Sequence, residues 1–300
     1  MAPNFPVQDF EKHDGPHGRF FFMAEIIDKR LLRPPDIFYY KLAVPSIAAK
    51  AKPGQFVIIR LHDRGERIPL SLADIDPAGG TISLVVMCVG KTTSELATLQ
   101  KGDNIKDVCG PLGNPTRIHN AGKVVLVGGG FGVAPLYPIG RAFKDAGSRV
   151  VTIMGARNKG LLIYGREMEG ISERVIVSTE DGSAGTKGVI TDALEMELKE
   201  NGADLVVAVG PARMMQAACG KTGTFGVETV VSLNAVMIDG TGMCGGCRVR
   251  VGGETKFVCI DGPDFDGALV DWDLLIKRQR QYRAEEKESF EQWKKNHNLE

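Results

Sequence analysis

The stretch Asp239-Gly-Thr-Gly-Met-Cys-Gly-Gly-Cys247, with Cys259 downstream, constrains this chain more than any other part of it. Three of the six cysteines lie here, at the spacing C-x2-C-x11-C. The surrounding glycines free the backbone to wrap an object without steric cost. Two-iron clusters are held by four ligands, and one known run is C-x4-C-x2-C with a distant fourth cysteine. The chain has that spacing if Asp239 stands for the first cysteine, giving D-x4-C-x2-C-x11-C. The expected ligand set is Asp239, Cys244, Cys247 and Cys259 around a [2Fe-2S] cluster. Two other readings compete. A C-x2-C pair can be half of a zinc site, but zinc needs a second pair or histidines, and the nearest histidines in sequence are His119 and His297. Ordinary buried thiols are the third reading, though Cys244 and Cys247 among four glycines make a poor apolar core.

Cysteines clustered at metal-type spacing fit a reducing cytoplasm better than a disulfide scaffold. A length of 300 residues has room for two domains and a small third. Formal net charge is zero, so nothing points to nucleic acid or an anionic membrane surface. No secretory leader is visible, and no apolar run approaches the ~20 residues of a membrane-spanning helix.

Residues 1–18 are polar, contain prolines and lack periodicity; they read as an extension that is flexible or packs on a partner. His13 and His17 have the spacing of a helical metal pair, but Gly15 and Pro16 between them argue against a helix. From Phe20 the pattern turns to strands: Phe20–Asp28, Ile37–Ala43, Gln55–Leu61 and Thr81–Val89, separated by Pro, Gly and Asp. They predict a small antiparallel barrel over 19–118, ending near Cys109-Gly-Pro-Leu-Gly113. Within it, Arg67 can fork onto a phosphate, and Ser71, four residues on in extended chain, can reach a ring nitrogen of a cofactor. A helix is expected over Ser94–Leu99, and amides at its start suit a phosphate. Thr92–Ser94 also read as a plain N-cap.

Between residues 119 and 233 the rhythm changes. Lys123–Val127, Arg149–Met154, Arg174–Ser178, Leu205–Val209 and Val227–Leu233 read as buried strands, alternating with helices through Asp145, Ile190–Glu200 and Ala212–Cys219. Such alternation predicts a doubly wound parallel α/β sheet. The Gly128-Gly-Gly-Phe-Gly132-Val133 loop opens the first helix, where glycines let a backbone approach a pyrophosphate. It is not a G-x-G-x-x-G in good register. Gly155-Ala-Arg157 and Gly210-Pro211-Ala-Arg-Met214 follow strands on the same expected edge. Glu180 or Asp181 can bond a ribose hydroxyl and favour NAD; Arg157 argues for NADP, so the choice stays open. A hairpin of Arg248–Gly252 and Thr255–Cys259 brings Cys259 beside the cysteine loop, completing a lobe over 234–270. The charged run from Asp271 reads as a solvated helix over 271–300, with Tyr282, Phe290 and Trp293 as docking points. Cys88, Cys109 and Cys219 read as inert buried thiols.

Arg67-Ile-Pro-Leu-Ser71, Gly110-Pro-Leu-Gly113, Gly128–Pro135 and Gly210-Pro211 together resemble the ferredoxin–NADP reductase superfamily. The cysteine lobe is similar to that of dihydroorotate dehydrogenase electron-transfer subunits. From residue 20 on, the chain resembles more closely the small subunits of NADH-dependent ferredoxin:NADP oxidoreductases (sulfide dehydrogenase subunits). Asp239 through Val249 and Phe265-Asp-Gly-Ala-Leu-Val-Asp-Trp272 carry that distinction; the dihydroorotate type has a cysteine in place of Asp239. The resemblance implies FAD in the barrel, with Arg67 on its pyrophosphate, Pro69, Leu70 and Ser71 along the isoalloxazine, Ser71 near the flavin N5, and Ile68 and Leu72 beside them in the same site. Val86, Val89, Gly90, Thr92 and Thr93 complete that site. It implies NAD(H) over Gly128, Gly129, Gly130, Gly132 and Val133, with Gly110, Arg157, Glu180, Asp181, Gly210, Pro211 and Met214 around it. It also implies a larger partner subunit carrying a second FAD and [4Fe-4S] clusters, where flavin-based electron bifurcation takes place. The expected chemistry is a hydride exchanged between NADH and FAD, then single electrons passed through the [2Fe-2S] cluster. A dihydroorotate dehydrogenase-type subunit, a stand-alone reductase and a zinc-stabilised interaction module are the rivals.

Overall fold

The strands from Phe20 onward close on themselves. The computed structural model of the protein describes residues 13–14, 20–34 and 37–297. In it β2 (Phe20–Arg33), β3 (Ile37–Ala43), β4 (Phe56–Arg60), β5 (Ile68–Asp76), β6 (Thr81–Met87) and β7 (Asn104–Leu112) pair in the order β2-β3-β6-β5-β4-β7. Pairing of β2 with β7 then shuts the six-stranded antiparallel barrel. The dipeptide β1 (His13–Asp14) pairs antiparallel with Phe20 and Phe21 at the start of β2; the rest of the extension, with His17, lies outside the described residues. The short helix α1 (Pro45–Ala48) and α2 (Lys91–Thr98) cap the barrel. Its interior is filled by the inward set of each strand, among them Ile26, Leu42, Ile59, Leu72, Leu84 and Ile105, all essentially inaccessible to water. Helix α2 starts three residues earlier than Ser94. Extended Gly90 precedes it, and the Thr93 hydroxyl accepts the N–H groups of Val89 (3.0 Å) and Gly90 (3.1 Å).

The second sheet comprises β8 (Lys123–Gly129), β9 (Arg149–Ala156), β10 (Arg174–Thr179), β11 (Thr186–Lys187), β12 (Leu205–Val209) and β13 (Glu228–Ser232), all parallel. Their order is β11-β10-β9-β8-β12-β13, with β16 (Asp264–Asp266) antiparallel at the far edge. Helices α3 (Val133–Asp145), α4 (Gly165–Ile171), α5 (Ile190–Asn201) and α6 (Ala212–Thr224) flank it. β8 and β12 are buried along their whole length, as a sheet covered on both faces requires. Helix α4 was not expected: two glycines in seven residues mask its signal, and it is held by Met168 and Ile171 buried beside α3.

The third part is a hairpin, β14 (Arg248–Val251) and β15 (Glu254–Phe257), turning at Gly252-Gly253, followed by α7 (Val258–Asp261). Cys259 thus sits in one turn of helix, not at the end of a strand. The chain beyond Asp271 is two helices instead of one: α8 (Trp272–Arg278) and α9 (Arg283–Asn296). They are not wholly solvated. Trp272, Leu275 and Trp293 are buried, and α9 packs on α2. One continuous apolar core joins Phe56, Ile58 and Leu112 of the barrel, Val125 and Val206 of the parallel sheet, and Cys247, Val249 and Cys259 of the lobe. Polar bonds cross the same seams: Asn114 N–H to the Gly262 carbonyl (2.7 Å), Thr116 Oγ1 to Asp264 Oδ2 (2.6 Å) and Arg141 to Asp74 (2.8 Å).

Candidate functional site

The cysteine loop is built around one carboxylate. Asp239 Oδ1 accepts the Thr241 N–H and Oδ2 the Cys244 N–H, both at 2.6 Å. Burial pushes its pKa up, but these backbone donors outweigh burial and hold the carboxyl below its ordinary range. Each oxygen keeps a further lone pair for a metal. Cys247 Sγ and Cys259 Sγ lie 3.2 Å apart in the buried interior. Two sulfurs on one tetrahedral metal, with bonds of about 2.3 Å, stand about 3.8 Å apart, so the pair reaches a shared metal once the sulfurs part by about half an ångström. Burial, then the neighbouring Cys247, pushes the Cys259 thiol up to about 12; metal binding is what makes such a pair thiolate. Cys244 is exposed, and its sulfur accepts the Gly246 N–H at 3.3 Å. Gly245 between the two cysteines is left-handed, with φ +64°, as the reversal of the C-x2-C turn requires. Among the described residues no three His, Cys, Asp or Glu side chains surround one ion position. Asp239 and the three cysteines thus lie in one lobe, with Cys247 and Cys259 in contact and the Cys244 N–H on Asp239, a thiolate-rich donor set of the kind an iron–sulfur cluster takes.

Where barrel, parallel sheet and lobe meet there is a cavity of ≈ 250 Å³. The barrel contributes Phe56, Pro69, Leu70, Ser71, Ala73 and Val85. The parallel domain adds Phe131, Gly132, Ala134, Pro135, Val209 and Gly210. Ser232, Leu233, Asn234, Ala235, Met237 and Pro263 complete the wall toward the lobe. Pro69, Leu70 and Ser71 of β5 all border it. The Leu72 and Val86 side chains belong to the barrel core, and Ile68 and Leu70 are half-buried against that core. Val85, one residue from Val86, faces the cavity. The lobe-side wall was not anticipated; its residues carry no motif, and only the turn out of β13 brings them there.

Arg67 and Val89 are exposed, and Gly90 has open space around it. The Thr93 hydroxyl is spent on capping α2. The Thr92 hydroxyl donates to Glu66, whose other oxygen is 3.8 Å from Lys91 Nζ. Glu66 was missed: its carboxylate sits at the start of α2, where an anion is favoured.

The glycine loops meet at the carboxyl ends of the paired strands β8 and β12. A Cβ added to Gly129 would stand 2.5 Å from Met214 Sδ and 3.1 Å from Pro211 Cδ, so the two glycine loops touch. Val133 is buried at the start of α3. Gly130 is left-handed, with φ +57° and nothing near its missing side chain. At the ends of β9 and β10, the Asp181 N–H donates to the Arg157 carbonyl at 3.2 Å, which puts Arg157, Glu180 and Asp181 side by side. Asp181 accepts the Ser183 hydroxyl (2.6 Å) and N–H (2.9 Å), bonds that hold its carboxyl below the usual range. Gly110 is placed apart from these loops, in the barrel wall on β7 against Val57. The donor set of the lobe, the apolar cavity and the glycine cradle therefore fit a cluster, a flavin ring and a dinucleotide.

Comparison with known proteins gives matches to each part. Residues 234–271 match the iron–sulfur cluster binding domain of dihydroorotate dehydrogenase B, and 126–220 match the oxidoreductase NAD-binding domain. The chain is 52% identical to the dihydroorotate dehydrogenase B (NAD(+)) electron transfer subunit homolog of Thermotoga maritima, over 91% of this chain and 96% of that one. It is 35% identical to the dihydroorotate dehydrogenase B (NAD(+)) electron transfer subunit of Fusobacterium nucleatum, covering 70% of this chain and 83% of the relative. In structure it matches a chain of NADH-dependent reduced ferredoxin-NADP oxidoreductase, solved for its flavin-based electron bifurcation, at TM-score 0.85 and 51% identity, covering 90% and 97% of the two chains.

Proposed function

The chain belongs to the family of dihydroorotate dehydrogenase B electron-transfer subunits and their homologues, and from that premise we propose that it is the flavin and iron–sulfur subunit of an electron-bifurcating NADH-dependent ferredoxin:NADP oxidoreductase. It is an oxidoreductase subunit that works with FAD, NAD(H) and a [2Fe-2S] cluster. The observation that carries the reading is a single cavity bordered by Ser71 of the barrel, Gly210 of the dinucleotide edge and Asn234 of the lobe. A flavin placed there has a nicotinamide on one side and the cluster on the other. Bound flavin takes a two-electron hydride and passes single electrons onward.

The chain's own residues orient and enclose. Pro69, Leu70, Ala73 and Val85 give an apolar wall that excludes water, and Ser71 presents a hydroxyl at the ring's edge. Arg67 and the backbone of the Gly90–Thr93 turn, whose two threonine hydroxyls are engaged within the chain, would supply the pyrophosphate contacts. Gly128–Val133 cradle the dinucleotide phosphates, with Gly210, Pro211 and Met214 toward the nicotinamide. Glu180 would bond the ribose hydroxyls and favour NAD, since Asp181 is engaged within its own turn, while Arg157 beside them would suit a 2′-phosphate. Asp239, Cys244, Cys247 and Cys259 would hold the cluster, with Asp239 and Cys244 on one iron and Cys247 and Cys259 on the other. We take 19–118 as the FAD barrel, 119–233 as the nucleotide domain and 234–270 as the cluster lobe.

A larger partner subunit with its own flavin and [4Fe-4S] clusters covers the outer face of the lobe. Exposed Met243, Ile238 and Ile260 form an apolar rim there around exposed Cys244. Among the described residues no helix is long and apolar enough to cross a membrane, and the working compartment is the cytoplasm. The test is an anaerobic visible spectrum with iron analysis, then EPR after dithionite. Flavin bands, two irons per chain and a rhombic reduced signal are expected. Zinc without flavin overturns the proposal. The match of 234–271 to the dihydroorotate-type cluster domain favours one second reading, and co-purification with a subunit that oxidises dihydroorotate selects it.

A further inference from the structure

Two guanidinium groups reach the turn between Cys244 and Cys247. Arg248, the first residue of β14, donates from Nη1 to the Gly245 carbonyl at 3.1 Å. Arg278, at the last turn of α8, donates from Nη2 to the Gly246 carbonyl at 3.1 Å. The peptide that joins Gly245 to Gly246 is the same unit whose N–H donates to Cys244 Sγ at 3.3 Å. A charged donor on the carbonyl end therefore polarises the N–H that faces the sulfur, and such chains strengthen one another. The next peptide, from Gly246 to Cys247, is polarised in the same sense by Arg278.

Arg278 is held where it is by the packing of α8. Asp271 caps that helix by accepting the Leu274 N–H at 3.0 Å, Trp272 Nε1 donates to the Gly267 carbonyl at 3.1 Å, and Leu275 is buried beneath. The next residue, Gln279, donates to the Asn234 carbonyl (3.0 Å) and Oδ1 (2.8 Å). Asn234 lines the cavity, so one helix end holds both the cluster turn and the cavity wall.

We propose that Arg248 and Arg278 are positioning residues that raise the reduction potential of the lobe's cluster by polarising the two peptides of the Cys244–Cys247 turn. The inference rests on the [2Fe-2S] reading above. Its physical basis is that outer hydrogen bonds and charge tune a cluster through its sulfur ligands. Nearby positive charge and stronger N–H···S bonds favour the more negative, reduced cluster. Arg278 is half-buried and Arg248 exposed, so solvent screens Arg248 more.

The experiment is an EPR-monitored redox titration of the purified holo-chain, with iron counted in every sample. R278Q is expected to keep its iron and shift the reduction equilibrium toward the oxidised form about tenfold, about 59 mV for one electron. R248Q shifts it about threefold in the same direction, the smaller step following from screening. R250Q removes the same charge from the same hairpin without a bond to the turn, and leaves the midpoint in place. Should a Gln variant hold no iron, R278K and R248K decide. Lysine keeps the charge but not the planar fork, so the midpoint falls by a smaller step. Iron retained with wild-type midpoints overturns the proposal, as does a shift in R250Q equal to that in R248Q. A wild-type chain without iron overturns the cluster reading itself.

Discussion

Gly132 lies between two backbones that cannot move aside. A Cβ built there stands 2.5 Å from the Val209 oxygen, 2.8 Å from the Val209 carbonyl carbon and 3.0 Å from Gly210 Cα. An ordinary carbon–oxygen contact needs several tenths of an ångström more, and no side-chain rotation can supply it. In G132A the end of β12 and the start of α3 must separate. Overpacking of this kind costs about 1–3 kcal/mol, a fall in Tm of a few °C for a chain this long. The separated elements are the two loops proposed to cradle the dinucleotide, so NADH affinity falls together with stability. Two other glycines isolate the cause. G130A meets nothing but is left-handed, so it carries only the conformational cost of about 1–2 kcal/mol. Gly170 in α4 has neither neighbour nor positive φ, and G170A gains up to about 1 kcal/mol. Differential scanning calorimetry and NADH calorimetry on the three variants are the assay. A G132A protein with wild-type Tm and wild-type NADH affinity refutes the reasoning.

Glu197 is 2% exposed and pairs with Lys123 (2.8 Å) and Arg174, joining α5 to β8 and β10. E197A leaves the buried Lys123 ammonium uncompensated, and a loss of about 3–5 kcal/mol is expected in denaturant titration; a loss below 1 kcal/mol contradicts this account. Burial raises the carboxyl pKa of Asp264, outweighing the side-chain bonds from Thr116 and Ser232 that favour the carboxylate. A raised folded-state pKa contributes stability that is full below the ordinary value of about 4 and is lost as pH rises through the folded-state value. Thermal melts across that range are therefore expected to show wild type losing stability relative to D264N as pH rises, and parallel curves refute the shift. D239C keeps the cluster and moves its midpoint, because a hard carboxylate favours ferric iron over ferrous; unchanged potential and EPR count against Asp239 as a ligand.

Some of this molecule is legible in local pattern. Leu205–Val209 and Ile37–Ala43 are strands at the expected bounds because an unbroken or alternating apolar run has one good backbone solution. The D-x4-C-x2-C-x11-C spacing marks the lobe because metal ligation constrains sequence spacing directly. Other features were not legible. Val85 faces the cavity and Val86 the core, yet periodicity tells only that they differ, not which face the neighbouring domain covers. Glu66 at α2 and Arg278 at the cysteine turn are ordinary surface charges in sequence, 26 and 32 residues from the groups they bond.

The order of barrel, parallel sheet and cysteine lobe is written in local pattern, since hydrophobic period, turn residues and ligand spacing each act over a few dozen residues. That Ser71, Gly210 and Asn234 border one cavity is a product of long-range packing. Those three meet because a single apolar core runs through all three parts, and burial of that core is non-directional and depends on shape. No local pattern encodes which faces it brings together.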